Sequence, residues 1–195
     1  MYNTATNLVF LGSMENIIKQ LPKKAKDKEK ENRKLFKKLR KKPPNNLDNL
    51  MVELHDKEFA KTDCLKCGNC CKTTAPWLND QDVARIAKHL KLKEQKFIEE
   101  YLEVGEDNEF SFKLVPCVFL MPDNECSIYK VRPKACREYP HTNRRKFQQI
   151  ETITIENTAI CPATYNIMEA LKANLPIQYS EKGGKPREKF RRGGG

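Results

Sequence analysis

This 195-residue chain has no apolar run approaching the roughly 20 residues that a bilayer-spanning helix needs. Its opening residues, Met1 to Leu11, carry no basic leader, and Leu8-Val9-Phe10-Leu11 is too short for the core of a secretion signal. A soluble protein in a reducing, cytoplasmic compartment is therefore expected, where thiols stay free and clustered cysteines read as metal or redox sites rather than disulfides. There is no internal repeat. No glycine-rich strand-turn-helix signature for a nucleotide-like cofactor is present, and nothing specifies the activating base and oxyanion site that a nucleophilic cysteine needs. No aromatic stacking platform accompanies the basic residues, which argues against sequence-specific recognition of single-stranded nucleic acid.

Positive charge and cysteine are abundant. The formal net charge is +11, and the excess sits at the two ends. Twelve basic residues between Lys23 and Lys42 face only Asp27, Glu29 and Glu31, and the Gly-rich segment from Lys182 to Gly195 adds Lys185, Arg187, Lys189, Arg191 and Arg192. Residues 1–44 are accordingly read as a basic helical arm, partly disordered, and residues 179–195 as a disordered basic tail. Such arms suit nucleic acid or an acidic protein through counterion release, or are simply solvated. Residues 45–178 remain for a folded domain with a modest core.

Within that domain Leu47, Leu50, Met51 and Leu54 recur at helical spacing, and a second helix is expected from a cap at Asp80 through Leu90, with Val83, Ile86, Ala87 and Leu90 on its apolar face. A third is expected over Lys93 to Val104. Phe110, Phe112 and Leu114 alternate as in a half-buried strand, and Ile153 and Ile155 suggest a second strand that pairs with it. A helical turn around Cys136 and a closing helix from Pro162 to Ala173 complete an α+β domain: small, rich in helix and loop, metal-stapled, with a short antiparallel β element.

Eight cysteines carry the chemistry: Cys64, Cys67, Cys70 and Cys71 within eight residues, then Cys117, Cys126, Cys136 and Cys161. Zinc sites usually draw separated Cys-x2-Cys pairs from two directions. Cys64-x2-Cys67-x2-Cys70 instead repeats the interval by which a ferredoxin loop wraps three corners of a four-iron cluster, and Cys161-Pro162 matches the Cys-Pro step that closes that pattern. Cys71 is the alternative fourth ligand, and two four-thiolate sites are arithmetically available. Gly68-Asn69 suggests a folded loop rather than a helix, with backbone N–H groups aimed at sulfur. Lys66, Lys72, Arg132 and Arg137 can offset thiolate charge or face water. His55 and His141 are candidate additional ligands, while His89 reads as structural. Trp77 is read either as a shield for the centre or as an ordinary core aromatic.

The box Cys64-x2-Cys67-x2-Cys70-Cys71, followed by Pro116-Cys117-Val118-Phe119-Leu120 and by Cys126-Ser127-Ile128-Tyr129-Lys130-Val131-Arg132-Pro133-Lys134-Ala135-Cys136-Arg137-Glu138-Tyr139-Pro140, resembles the YkgJ-type cysteine-cluster family. The resemblance spans Cys64 to Cys161 and includes an acidic residue, here Asp82, that starts a helix. It implies chelation of zinc or iron; some relatives are called iron-sulfur proteins, and the same box occurs in flagellin lysine methylases. Lys72 stands where the family often has arginine.

Three functions follow as expectations. The first is a metal-binding protein holding zinc or iron, with a [4Fe-4S] cluster preferred on spacing. The second is an iron-sulfur-dependent enzyme, a redox protein or a methylase-like modifier. The third is a zinc-stapled adaptor that contacts nucleic acid through the basic arm.

Overall fold

The computed structural model describes residues 4–106, 109–176 and 179, with side chains from Met14 onward. It is helix-rich with one small antiparallel sheet, an α+β domain. Helix α1 (Thr4–Lys41) and α2 (Leu47–Phe59) lead into two short helices, α3 (Cys64–Cys67) and α4 (Asn69–Thr73). Strand β1 (Trp77–Leu78), helices α5 (Asp80–His89) and α6 (Glu94–Tyr101), and strands β2 (Leu102–Val104) and β3 (Phe110–Phe112) follow. After a hairpin and a 3-10 turn come α7 (Lys134–Glu138), α8 (Glu151–Ile160) and α9 (Pro162–Asn174).

Two apolar clusters hold the chain together. In the helical one, Leu35, Phe36 and Leu39 of α1 meet Leu47 and Met51 of α2, Phe147, Ile155 of α8, and Ile167, Met168 and Leu171 of α9. The second joins Val83, Ile86 and Ala87 of α5 to Phe97 of α6, Leu102 and Phe112 of the sheet, and Phe119 and Ile128 of the hairpin. The sheet order is β1-β3-β2, both pairs antiparallel, with Leu78 opposite Phe110 and Leu102 opposite Phe112. The cysteine box lies between the two clusters in the chain.

Several expectations change. Residues 152–156 are helical, not a strand: β-branched residues mimic a two-residue period, but the buried set Thr154, Ile155, Asn157 and Thr158 occupies one side of α8 against α1. The partners of β3 are β1 and β2. The third helix stops at Tyr101 because Leu102–Val104 pairs with β3. Asn79, not Asp80, caps α5, through a capping box with Asp82.

From Leu21 onward helix α1 is packed against the domain rather than set apart. Leu21, Ala25, Asn32, Leu35, Phe36 and Leu39 are buried on one helical face, a stripe hidden among lysines. Arg40 pairs with Glu151, and Lys172 of α9 reaches Glu31 at 3.0 Å. Tyr179, assigned by sequence to the tail, packs on the helical cluster and donates its hydroxyl to the Lys42 carbonyl at 2.6 Å. The remainder of the tail lies outside the described residues. Among the described residues no helix is long and apolar enough to cross a membrane.

Candidate metal centre

The box is two short helices rather than a loop. Asp63 caps α3 by accepting from the Leu65 N–H at 3.0 Å, and Gly68 ends it in the left-handed region at φ 58°. Glycine is favoured twice over, because a Cβ there would also lie 2.9 Å from Asn124 Oδ1 at the hairpin tip. The chain then restarts as α4, which presents Cys70 and Cys71 on consecutive helical positions with sulfurs 4.0 Å apart.

The remote cysteines arrive from two sides. Asn69 donates its side-chain amide to the Ile160 carbonyl at 2.7 Å, which sets Cys161, at the α8–α9 junction, against the box. Cys161 lies near enough to interact electrostatically with Cys64, Cys67 and Cys70. On the other side the Cys117 N–H donates to the Cys71 carbonyl at 2.8 Å. Cys117 opens a hairpin closed by a bridge between Leu120 and Cys126 and by Ser127 N–H to the Phe119 carbonyl at 2.9 Å. Cys136 on α7 feels the charges of Cys71, Cys117 and Cys126.

All eight cysteines are free thiols. Burial, reinforced by neighbouring thiolates, pushes the Cys64 thiol up to about 11 and that of Cys136 up to about 12. Burial also raises Cys67, Cys117 and Cys126, opposed by backbone N–H groups directed at the sulfurs: Asn69 to Cys67, Phe119 and Leu120 to Cys117, and Ile128 to Cys126. Cys71 moves the other way, its thiolate accepting from Cys70. Lys72 favours thiolate at Cys67 and Cys71, and Arg132 does so at Cys126 and Cys136. Among the described residues no three Cys, His, Asp or Glu side chains are drawn to the spacing of a closed metal site.

The donor set suits a soft, thiophilic metal. A second observation fits such a group. The Tyr139 hydroxyl is buried with no hydrogen-bond partner, and burial together with the charges of Cys161, Cys70, Cys67 and Cys71 holds its pKa well above the ordinary tyrosine value. It is a donor without an acceptor beside sulfur.

Sequence reasoning missed the side chains that position these thiols. Asp82, 2% exposed, accepts the Lys134 N–H with both oxygens at 3.1 and 3.2 Å and so caps α7, the helix of Cys136, from α5. Arg85 pairs with Asp82 and donates to the Val131 and Arg132 carbonyls at 3.3 and 3.0 Å. The Asn79-x2-Asp82 capping box was a readable signal for Asp82, whereas the sequence motifs that contain Asn69 and Tyr139 carried no signal of the bond to Ile160 or of the buried hydroxyl. Arg132 lies over the Tyr129 ring at 3.8 Å and Arg137 donates to the Arg132 carbonyl at 2.6 Å, so a ring and a backbone carbonyl engage them. His55 bonds Thr142 at 2.8 Å and packs at a tilt against Phe59, His141 sits edge-on to Tyr139, and His89 is exposed. Trp77 is 66% exposed and is not a core residue.

Comparison with known proteins agrees with this chemistry. An uncharacterised protein of Methanocaldococcus jannaschii is 38% identical over 85 residues, covering 40% of this chain and 44% of the relative's own length. No solved structure matches. The family model for CxxCxxCC, described as a "putative zinc- or iron-chelating domain", matches residues 63–161. That region takes in half the chain and every cysteine, and this protein belongs to the CxxCxxCC family.

Proposed function

We propose that this protein chelates iron as a [4Fe-4S] cluster through Cys64, Cys67, Cys70 and Cys161, and that the cluster serves structure and electron transfer rather than substrate binding. The observation that carries the reading is the approach of Cys161 to the Cys64-x2-Cys67-x2-Cys70 box, anchored by Asn69 on the Ile160 carbonyl. Three thiols at intervals of three, joined in space by a distant Cys-Pro, are the ligand pattern of ferredoxin-type clusters. When bound, such a cluster supplies a one-electron couple whose potential depends on hydrogen bonds to its sulfurs. Tyr139 and the Asn69 N–H are the donors this chain offers there. Lys72, whose ammonium donates to the Cys67 carbonyl at 3.3 Å, offsets the negative charge of four thiolates.

Anaerobic purification followed by iron, zinc and acid-labile sulfide analysis tests this. Iron and sulfide in equal amounts, with visible absorbance lost in Cys67→Ser, is the expected result. A colourless protein that holds zinc at this quartet and no sulfide overturns it and leaves zinc chelation in its place.

A second reading attaches to the exposed side of α1, where a shallow groove is lined by Lys26, Lys30, Arg33, Lys34 and Lys37 with Glu29. This row of cations suits a nucleic-acid backbone, and binding would then weaken steeply with salt. Charge reversal at Lys30 and Lys37 is expected to abolish binding to duplex DNA or RNA without altering metal content. Retention by the reversed variant, or no salt dependence, refutes it.

A further inference from the structure

We propose that Cys71, Cys117, Cys126 and Cys136 form a second thiophilic metal centre, separate from the quartet of Cys64, Cys67, Cys70 and Cys161 and meeting it at the Cys70–Cys71 step. The proposal deepens the metal-binding reading but does not depend on which metal the first quartet holds.

Four observations support it. The Cys117 N–H is bonded to the Cys71 carbonyl, so the start of the hairpin is fixed to the last cysteine of the box and not to the first three. The hairpin pairing of Leu120 with Cys126 brings Cys126 back beside Cys117, and both pack on the sheet-side apolar cluster. Asp82 holds the N-terminus of α7, and α7 also contacts β1. Finally, Cys117 and Cys126 each sit in a turn whose following N–H groups point at sulfur, as Phe119, Leu120 and Ile128 do. Turn-borne cysteines with following N–H groups aimed at sulfur are the arrangement found in closed four-sulfur sites.

The topology explains why two centres belong here. Cys161 lies where α8 meets α9, on the helical side, whereas Cys117, Cys126 and Cys136 lie on the sheet side. Each quartet therefore ties the box to one apolar cluster, and adjacent residues of one short helix join the two. Asn124, pressed on Gly68, keeps the hairpin tip against the break between α3 and α4.

The experiment is residue-resolved thiol alkylation of the anaerobically purified, metal-loaded protein, read by mass spectrometry beside zinc, iron and sulfide content. Wild-type protein is expected to show all eight cysteines protected and the metal of two centres. Cys126→Ser should expose Cys71, Cys117 and Cys136 while Cys64, Cys67, Cys70 and Cys161 stay protected and their metal is retained. Cys64→Ser should do the converse. Uniform exposure of all seven remaining thiols in folded Cys126→Ser protein, checked by circular dichroism, indicates one shared centre and overturns the proposal. So does rapid alkylation of Cys117, Cys126 and Cys136 in wild-type protein with full metal content. Should a variant fail to fold, partial stripping of wild type with a chelator gives the same information: two sets of four released at different rates support the division, and a single concerted release refutes it. A first quartet that proves to hold zinc leaves this pattern unchanged, so failure of the cluster assignment is distinguishable.

Discussion

Asp82→Ala is the sharpest single perturbation of the scaffold around Cys136. The buried carboxylate accepts the Lys134 N–H at 3.1 and 3.2 Å, accepts the Asn79 N–H at 3.4 Å and pairs with Arg85. Alanine removes the cap of α7, worth about 1 kcal/mol. It also strands Arg85, where breaking a fully buried pair costs about 3–5 kcal/mol, reduced here because the guanidinium is about one-third exposed and keeps two carbonyl acceptors. A total loss of about 3 kcal/mol is expected by urea denaturation of the metal-free protein, with Asp82→Asn, which keeps one acceptor, costing about half of that. Because the cap acts on α7, alkylation of Cys136 should accelerate well ahead of Cys161. A loss under about 1 kcal/mol, or equal acceleration at Cys136 and Cys161, would refute the view that Asp82 positions the cysteine helix.

Phe36→Ala should destabilise by about 3–5 kcal/mol, measured by thermal or urea melting, because the ring is fully buried and its centroid lies 5.3 Å from that of Phe147; a change under about 1 kcal/mol would mean that α1 is detachable. Gly68→Ala should cost about 1–2 kcal/mol from left-handed backbone strain, plus whatever Asn124 must give; Asn124→Ala should recover part of the loss, and no recovery would deny the contact. Burial lowers the pKa of both His55 and His141 below the usual 6.5, so the unfolded chain takes up protons first as pH falls. Stability should therefore decline below about pH 6.5, and His55→Gln should flatten the decline; an identical slope in the variant rejects the linkage. On the alkaline side, Cys64 and Cys136 have folded-state pKa values raised from 9.0 to about 11 and about 12, so metal-free protein should lose stability as pH rises from about 9 toward 12. Protein in which metal holds these thiols deprotonated should resist that loss.

What the sequence made legible was what local chemistry determines. Leu47, Met51 and Leu54 marked α2 because a two-sided helix needs no distant partner to declare its face. The alternation around Phe112 marked β3, and the cysteine spacing marked the box. What stayed hidden depends on contacts far apart in the chain. The buried stripe of α1 is interleaved with lysines, so composition masks it until Glu151 and Ile155 are placed opposite. Residues 152–156 went to a helix for the same reason: α1 and α9 offer α8 a surface to pack on, and that outweighs the strand preference of alternating threonine and isoleucine.

The same distinction explains why the cysteines could be recognised but not sorted. Eight thiols suggest metal through their type alone, but the grouping proposed above rests on Asn69 reaching Ile160, Cys117 reaching Cys71 and Asp82 reaching Lys134, none of which is local. Each of these three hydrogen bonds anchors a segment that carries a cysteine or adjoins one, and none of them is made by a sulfur atom. The fold therefore meets part of the entropic cost of gathering ligands from distant segments before an ion binds, since each tethered loop no longer has to be closed by the metal. Loss of any one tether should weaken metal retention chiefly in the quartet it serves: Asn69→Ala in that of Cys161, Asp82→Ala in that of Cys136. Equal weakening of both quartets by either substitution would show that the box responds as one unit.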